Sequence, residues 1–162
     1  MIVRDANEQD FDRILELNKA SEEKTSPMSF DRLRLIDSLS SYHKVAVDAG
    51  KVDGFAVAMS DTATYVNDNF AWFKERYTSF LYLDRIVIDL KLVARGTGSA
   101  LYHDLIRHAE GLGLDFIVCE YNLKPLNIAS KGLHEKFAFT EVGQRTTSGQ
   151  SKLVSMQAKA IS

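Results

Sequence analysis

A glycine-rich turn holds the residues whose chemistry is easiest to recognise. It follows residues 80–88, a dense run of β-branched and aromatic side chains that predicts a buried strand. Leu101 and Leu105 then recur at helical spacing, which predicts a helix that begins near Gly98. Residues without side chains at a helix start expose unpaired amides at the positive end of the helix dipole, so the turn predicts a phosphate-binding site. The turn consists of Arg95, Gly96, Thr97, Gly98 and Ser99.

Two common phosphate-binding loops do not fit this turn. A nucleoside-triphosphate loop requires a lysine directly after its last glycine, and Ser99 stands there instead. A dinucleotide fingerprint requires a glycine or alanine where Leu101 stands. The pattern instead resembles motif A of the GNAT (Gcn5-related N-acetyltransferase) superfamily, Arg/Gln-x-x-Gly-x-Gly/Ala. Its first position departs from the motif because Val93 replaces Arg or Gln, and Arg95 is then a substitute source of positive charge.

A second stretch, further along the chain, resembles motif B of the same superfamily. The signature is Asn-x-x-Ala-x-x-x-Tyr-x-x-x-Gly-Phe. Asn127 and Phe139 match it in type and place, and Ala129 matches one place early. His134 occupies the tyrosine position, and Ala138 occupies the glycine position. Since the order and spacing of the two motifs agree, the resemblance extends over most of the chain.

The resemblance implies an α/β protein with the GNAT fold. In this fold about four helices flank a mixed central sheet of about six to seven strands. The two central parallel strands splay apart at their C-terminal ends and leave backbone groups of the first strand unpaired. The whole chain, residues 1–162, would then be a single acetyltransferase domain.

The resemblance also implies acetyl-CoA as the co-substrate. The pantetheine arm would pair with the free edge of the first splayed strand as an added strand does. The pyrophosphate would bind the amides of the glycine-rich turn. The implied contacts outside that turn are Ile86, Val87, Ile88, Asn127 and Ser130.

Two acidic residues are candidates for the base. In the family an amine attacks the thioester directly, so a base must take a proton from the incoming ammonium. Asp84 lies in an otherwise apolar strand, where burial without a partner is costly, and strand alternation points its neighbour Arg85 to the opposite face. Glu120 ends the next predicted strand, and its alternative role is a structural carboxylate bonded to the loop around Asn122. A backbone N–H near Ile88 is the implied oxyanion donor.

His134 is the candidate acid, because the family uses a tyrosine at this position to protonate the departing thiolate. An imidazole titrates at about 6.5 in water and can both give and take a proton at neutral pH. The alternative is that His134 only lines the cofactor channel. The other histidines and the single Cys119 are not spaced as a metal cluster, so no metal site is predicted.

Composition limits the class of protein. The chain has a formal net charge of −2, so no basic excess points to a nucleic-acid partner. No apolar run approaches the roughly 20 residues that span a bilayer, and the N-terminus lacks the layout of a signal peptide. Cys119 cannot form an internal disulfide and lies in a strand-like run, which predicts a buried thiol and a cytoplasmic location.

Two further regions are predicted to border the acceptor or a second subunit. Residues 61–79 concentrate aromatic side chains, which would form either extra core or a wall of the acceptor pocket. Asn69 is predicted to cap a short helix there. In residues 153–160 apolar and polar side chains alternate, which predicts a strand with one wet face and an edge that a homodimer partner could cover.

The function implied by these features is acetyl-CoA-dependent N-acetylation of a primary amine. The acceptor is predicted to be a small molecule, with protein N-termini or lysines as the alternatives. A rival of another class is a catalytically silent acyl-CoA-binding module. The departures at Val93 and His134 are the reason for considering it.

Overall fold

A mixed seven-stranded β-sheet forms the centre of the protein. The computed structural model describes residues 1–92, 95–124, 126–147 and 152–161. The strands are β1 (Ile2–Asp5), β2 (Tyr42–Asp48), β3 (Lys51–Ser60), β4 (Phe80–Ile88), β5 (Phe116–Lys124), β6 (Thr140–Thr146) and β7 (Leu153–Ala160). Their order in the sheet is β1-β2-β3-β4-β5-β7-β6. β4 and β5 form the parallel pair, and the other neighbouring strands are antiparallel.

Five α-helices lie among the described residues. They are α1 (Phe11–Ala20), α2 (Phe30–Leu39), α3 (Asp68–Lys74), α4 (Thr97–Gly111) and α5 (Ile128–Lys136). The short α3 lies in the aromatic-rich stretch, and its cap is Asn67, whose Oδ1 accepts from the amides of Asn69 at 2.9 Å and Phe70 at 3.0 Å. The prediction that Asn69 caps this helix was therefore wrong by two residues.

The two faces of the sheet carry different layers. Leu81 and Leu83 of β4 pack in a cluster with α4, which crosses one face. Phe80 and Tyr82 of the same strand point to the other face and pack with α3 and part of α2. α1 lies on that second face as well, with Ile14 buried against β2, β3 and β4. The alternation along β4 thus places one helix layer on each side of the sheet.

The aromatic side chains of residues 61–79 belong mainly to the core. The buried rings among them are Tyr65, Phe70 and Phe73. They pack with Phe80 and Tyr82 on the α3 face of the sheet. Asn67 and Asn69 of the same stretch line a cavity instead. The rings therefore act as core, while the polar residues between them form part of a wall.

The last strand does not lie at an edge. β7 is inserted between β5 and β6, so its predicted open edge was wrong. Its predicted wet face was also wrong, because Ser155 and Gln157 are buried. Gln157 Nε2 donates to Ser155 Oγ at 2.5 Å, and Ser155 Oγ donates to Glu141 at 2.6 Å, so internal hydrogen bonds satisfy the polar side chains. The edges of the sheet are β1 and β6.

The pairing of β4 with β5 is short. The paired positions are Phe80 with Phe116, Leu81 with Ile117 and Tyr82 with Val118. β4 nevertheless runs on to Ile88, and β5 runs on to Lys124. The two parallel strands therefore separate at their C-terminal ends, as predicted, and the backbone of β4 beyond Tyr82 lacks β5 as a partner.

Candidate functional site

Two cavities adjoin each other where β4 and β5 separate. The inner cavity has a volume of about 310 Å³ and is lined by residues that include Tyr82, Asp84, Tyr102, Cys119, Glu120 and His134. The outer groove has a volume of about 400 Å³ and runs along the end of β4, the start of α4 and α5. The residues that line both are Lys24, Thr25, Ile86, Asn127 and Ser130. The inner cavity and the outer groove are therefore continuous.

Nine of the ten predicted cofactor contacts line the outer groove. They are Ile86, Val87, Ile88, Gly96, Thr97, Gly98, Ser99, Asn127 and Ser130. The tenth, Arg95, is exposed at the preceding turn and does not line the groove. Val93 falls outside the described residues. Lys136 of α5, which was not predicted, lines the groove and donates to Ser99 Oγ at 2.8 Å, so it brings a positive charge to the glycine-rich turn.

The two glycines of the turn are favoured at their positions for different structural reasons. Gly96 precedes α4 with a φ of 85°, a left-handed conformation that glycine adopts without steric cost. Gly98 lies in the first turn of α4, where an added Cβ would lie 3.0 Å from Leu133 Cδ1 of α5. Gly98 therefore permits close packing of α4 on α5. A side chain added at position 98 would be directed at Leu133, which is itself part of the groove lining.

We expect Gly98→Val to weaken acetyl-CoA binding by about 10-fold to about 100-fold, because overpacking costs about 1–3 kcal/mol and would displace Leu133 from the groove wall. Isothermal titration calorimetry measures the affinity. The matched control is Gly111→Val at the other end of α4, where an added Cβ meets nothing within 4 Å. A folded Gly98→Val protein with unchanged affinity would contradict the assignment of the groove.

Glu120 lies in the inner cavity with an unusual protonation equilibrium. Burial, the largest cause, together with repulsion from Asp84, raises the pKa of Glu120 to about 8, although hydrogen bonds from Tyr82 and Asn69 oppose the shift. The Tyr82 hydroxyl donates to both carboxylate oxygens of Glu120. The predicted alternative, a structural bond to the loop around Asn122, does not describe this carboxylate. Asn122 instead donates to the carbonyls of residues 23 and 24.

The hydrogen bond from Asn69 to Glu120 has a fixed direction. Arg145 of β6 donates to Asn69 Oδ1. An amide whose oxygen accepts from a guanidinium directs its NH2 group to its other neighbour, and here that neighbour is the carboxylate of Glu120. Glu120 of β5 is therefore held by Tyr82 of β4 and by Asn69 of α3, which Arg145 of β6 orients. Sequence reasoning missed Tyr82, Asn69 and Arg145, because only the folded sheet brings them together.

Asp84 is part of a buried ion pair. Its Oδ1 accepts from the Tyr65 hydroxyl at 2.5 Å, and its Oδ2 accepts from Arg85 Nε at 3.1 Å. The side chains of Asp84 and Arg85 are only 3% and 6% exposed. Arg85 also donates to Asn18 Oδ1 and to Ser26. Both oxygens of Asp84 thus have strong partners, which favours a structural role.

A β-bulge explains why Arg85 reaches Asp84. Leu83 pairs with Ala58, and Arg85 pairs with the adjacent Val57, so Asp84 is an extra residue on β4. An extra residue breaks the two-residue alternation of a strand and redirects its side chains. The prediction that Arg85 could not pair with Asp84, which assumed a regular strand, was therefore wrong.

His134 is buried beside two potential partners. Its Nε2 lies 2.8 Å from the Tyr102 hydroxyl and 3.6 Å from Cys119 Sγ. Burial lowers the pKa of His134 to about 4, so the imidazole is neutral at pH 7. The sequence prediction assumed an imidazole that titrates close to neutral pH, and burial instead moves the pKa well below that range. His134 lines the inner cavity, as Glu120 does.

The described residues hold neither a metal-binding cluster nor a membrane-spanning helix. In these residues, no group of three or more His, Cys, Asp or Glu side chains could hold a metal ion. No helix within the same ranges is both long and apolar enough to cross a membrane.

The sequence matches no protein-family model, and no curated protein matches it significantly. Solved structures match it well. The ribosomal-protein-S18-alanine N-acetyltransferase from Escherichia coli superimposes with a TM-score of 0.75 at 19% identity, covering 99% of this chain and 94% of that one. The acetyltransferase of GNAT family from Streptococcus pneumoniae gives 0.74 at 21% identity over 99% of each chain. The yncA structure from Salmonella typhimurium, which contains its cofactor acetyl-CoA, gives 0.72 at 20% identity, covering 100% of this chain and 94% of that one.

These superpositions cover nearly the whole chain, including its mixed seven-stranded sheet with one parallel pair. The protein therefore has the GNAT fold, and the resemblance found in the two sequence motifs is confirmed at the level of the fold.

Proposed function

We propose that the protein is an acetyl-CoA-dependent N-acetyltransferase that acts on a primary amine of a small molecule. The observation that carries this proposal is Glu120, a carboxylate with a raised pKa of about 8 in a cavity continuous with the outer groove. A base whose pKa lies near the working pH is well suited to take a proton from an ammonium group.

The outer groove has the features that acetyl-CoA would require. The end of β4 offers backbone groups that lack β5 as a partner, which suits the amides of pantetheine. The first turn of α4 presents its amides to the groove, and Lys136 adds a positive charge near them, which suits a pyrophosphate. Asn127 and Ser130 stand where the groove meets the inner cavity. Acetyl-CoA would supply the acetyl group as a thioester.

The inner cavity supports a small polar acceptor. Its volume of about 310 Å³ is at the low end for ligand pockets, which span about 300–1,000 Å³. Polar side chains from several elements line it, among them Thr25, Asn67, Asn69 and Thr147. In the proposed reaction Glu120 takes a proton from the ammonium, and the neutral amine then attacks the thioester carbon. Tyr82 and Asn69 hold the Glu120 carboxylate in place.

A location in the cytoplasm and a homodimer are further parts of the proposal. The single Cys119 is buried and free, which suits a reducing compartment. Support for a homodimer comes from β6, an edge strand whose side chains are largely exposed, rather than from β7.

A thiol-release assay on a panel of primary amines tests the proposed function. We expect release of free CoA from acetyl-CoA that depends on the amine, with the acetylated amine detected by mass spectrometry. A protein that binds acetyl-CoA by calorimetry but releases no thiol with any amine would instead be the catalytically silent binding module.

A further inference from the structure

Tyr102 of α4 lines the inner cavity and has no role in the proton transfer to Glu120. Its side chain is buried, and its ring stacks on Phe137 with centroids 5.3 Å apart at an angle of 19°. The ring also meets Phe139 edge-on. The hydroxyl is held 2.8 Å from His134 Nε2. This hydroxyl is therefore fixed in position beside the residue that occupies the family's tyrosine position.

The surroundings of His134 indicate which of the two groups donates. His134 Nδ1 is buried and has no hydrogen-bond partner among the described residues. An unpartnered buried N–H is rarer than an unpartnered acceptor, which favours a bare Nδ1 and a proton on Nε2. His134 then donates from Nε2 to the Tyr102 oxygen, with Cys119 Sγ as a more distant neighbour. The Tyr102 hydroxyl keeps its own proton free for another acceptor.

We propose that Tyr102 is the acid that protonates the departing thiol sulfur, in place of the residue at position 134. This inference rests on the proposed function. A neutral His134 carries no extra proton at pH 7, whereas the Tyr102 hydroxyl stays protonated, because burial raises its pKa well above the usual range. The imidazole of His134 is shorter than a phenol. The Tyr102 hydroxyl, from the neighbouring helix α4, therefore occupies the space that a tyrosine at position 134 would need.

The bonds and protons of the proposed step can be followed one by one. The amine nitrogen forms a bond to the thioester carbon, and the carbon–sulfur bond breaks. The sulfur takes the Tyr102 proton, and the His134 Nε2–H stabilises the resulting phenolate. Glu120 holds the proton taken from the ammonium. The attacking nitrogen loses its second proton to solvent as the amide forms. Exchange with solvent then returns a proton to Tyr102 and removes one from Glu120, so the net result is an amide, a thiol and one released proton.

The experiment compares hydroxyl deletion with hydroxyl relocation. Tyr102→Phe keeps the ring packing on Phe137, so we expect the fold and the acetyl-CoA affinity to be retained. Turnover should fall about 100-fold, the lower end for general acid catalysis. His134→Phe keeps the Tyr102 hydroxyl and should cost less. In the double variant Tyr102→Phe/His134→Tyr, a hydroxyl returns to the site from α5, and we expect turnover to recover at least about tenfold over Tyr102→Phe.

A purely structural role for Tyr102 would not give this rescue. Near-normal turnover in Tyr102→Phe would overturn the inference, and so would a larger loss in His134→Phe than in Tyr102→Phe. The wild-type protein separates this failure from that of the proposed function. If it releases no thiol with any amine, the proposed function fails. If it is active and Tyr102→Phe is equally active, only the role of Tyr102 fails.

Discussion

Replacement of Glu120 by Gln should lower kcat/KM by about 100-fold to about 10,000-fold, the range of general base catalysis. Gln can keep the hydrogen bond from Tyr82 but cannot take a proton. Because the folded protein raises the pKa of Glu120 to about 8, the carboxyl is protonated and inactive as a base below that pH. In the wild-type protein kcat/KM should therefore rise with pH and level off above about 8, and this limb should be absent from the Glu120→Gln profile.

The pH profile needs two controls. The amine titrates as well, so profiles are measured with two acceptors of different amine pKa. A limb that stays in place belongs to the protein, and a limb that moves belongs to the acceptor. The matched variant is Glu110→Gln on the exposed end of α4, which should keep wild-type turnover. Retention of activity in Glu120→Gln would assign the base to another group.

Asp84→Asn should lower the free energy of unfolding by about 3–5 kcal/mol, the usual cost of removing one partner from a buried ion pair. The substitution keeps the size of the side chain but leaves the Arg85 guanidinium, only 6% exposed, without its carboxylate. Urea unfolding followed by circular dichroism measures the change. Asp115→Asn is the matched control, because this side chain is exposed and should alter stability by less than about 0.5 kcal/mol.

The two acids can thus be told apart by different measurements. A stable Asp84→Asn protein with collapsed turnover would make Asp84 the base and would contradict its structural role. We expect the opposite outcome, in which Asp84→Asn loses stability and Glu120→Gln loses turnover.

Local sequence patterns were sufficient to place the strand, the turn and the helix that border the outer groove. The run of β-branched residues before Gly96 predicted a strand, and the apolar spacing after Gly98 predicted a helix. The predicted start of this helix lies within one residue of the observed start of α4. These patterns depend on residues near in sequence, where spacing alone fixes geometry. The motif B residue His134 lies on α5 and lines the inner cavity.

The failures have one physical origin, since each depends on contacts between distant segments. The bulge at Asp84 is a mismatch between β3 and β4, and an alternation read from β4 alone does not contain it. On β7, the buried Ser155 has its hydrogen-bond partner Glu141 on another strand, β6. Asn69 and Tyr102 meet their partners Arg145 and His134 only across the fold. Ala138 shows a milder case, since it adopts a φ of 63° where the family motif has glycine.

The short pairing of β4 with β5 also has a consequence for cooperativity. The strands β1 to β4 form one block of continuous ladder, and β5, β7 and β6 form another, with three residue pairs joining them. A ligand that pairs with β4 and also contacts α5 would occupy the place of an additional strand and would connect the two blocks while it is bound. Ligand binding to the native state alone adds about 2.7 kcal/mol at about 100 times Kd. Local opening along the join between the blocks would therefore be linked to occupancy of the groove. Amide hydrogens on either side of the join should exchange more slowly when the groove is filled.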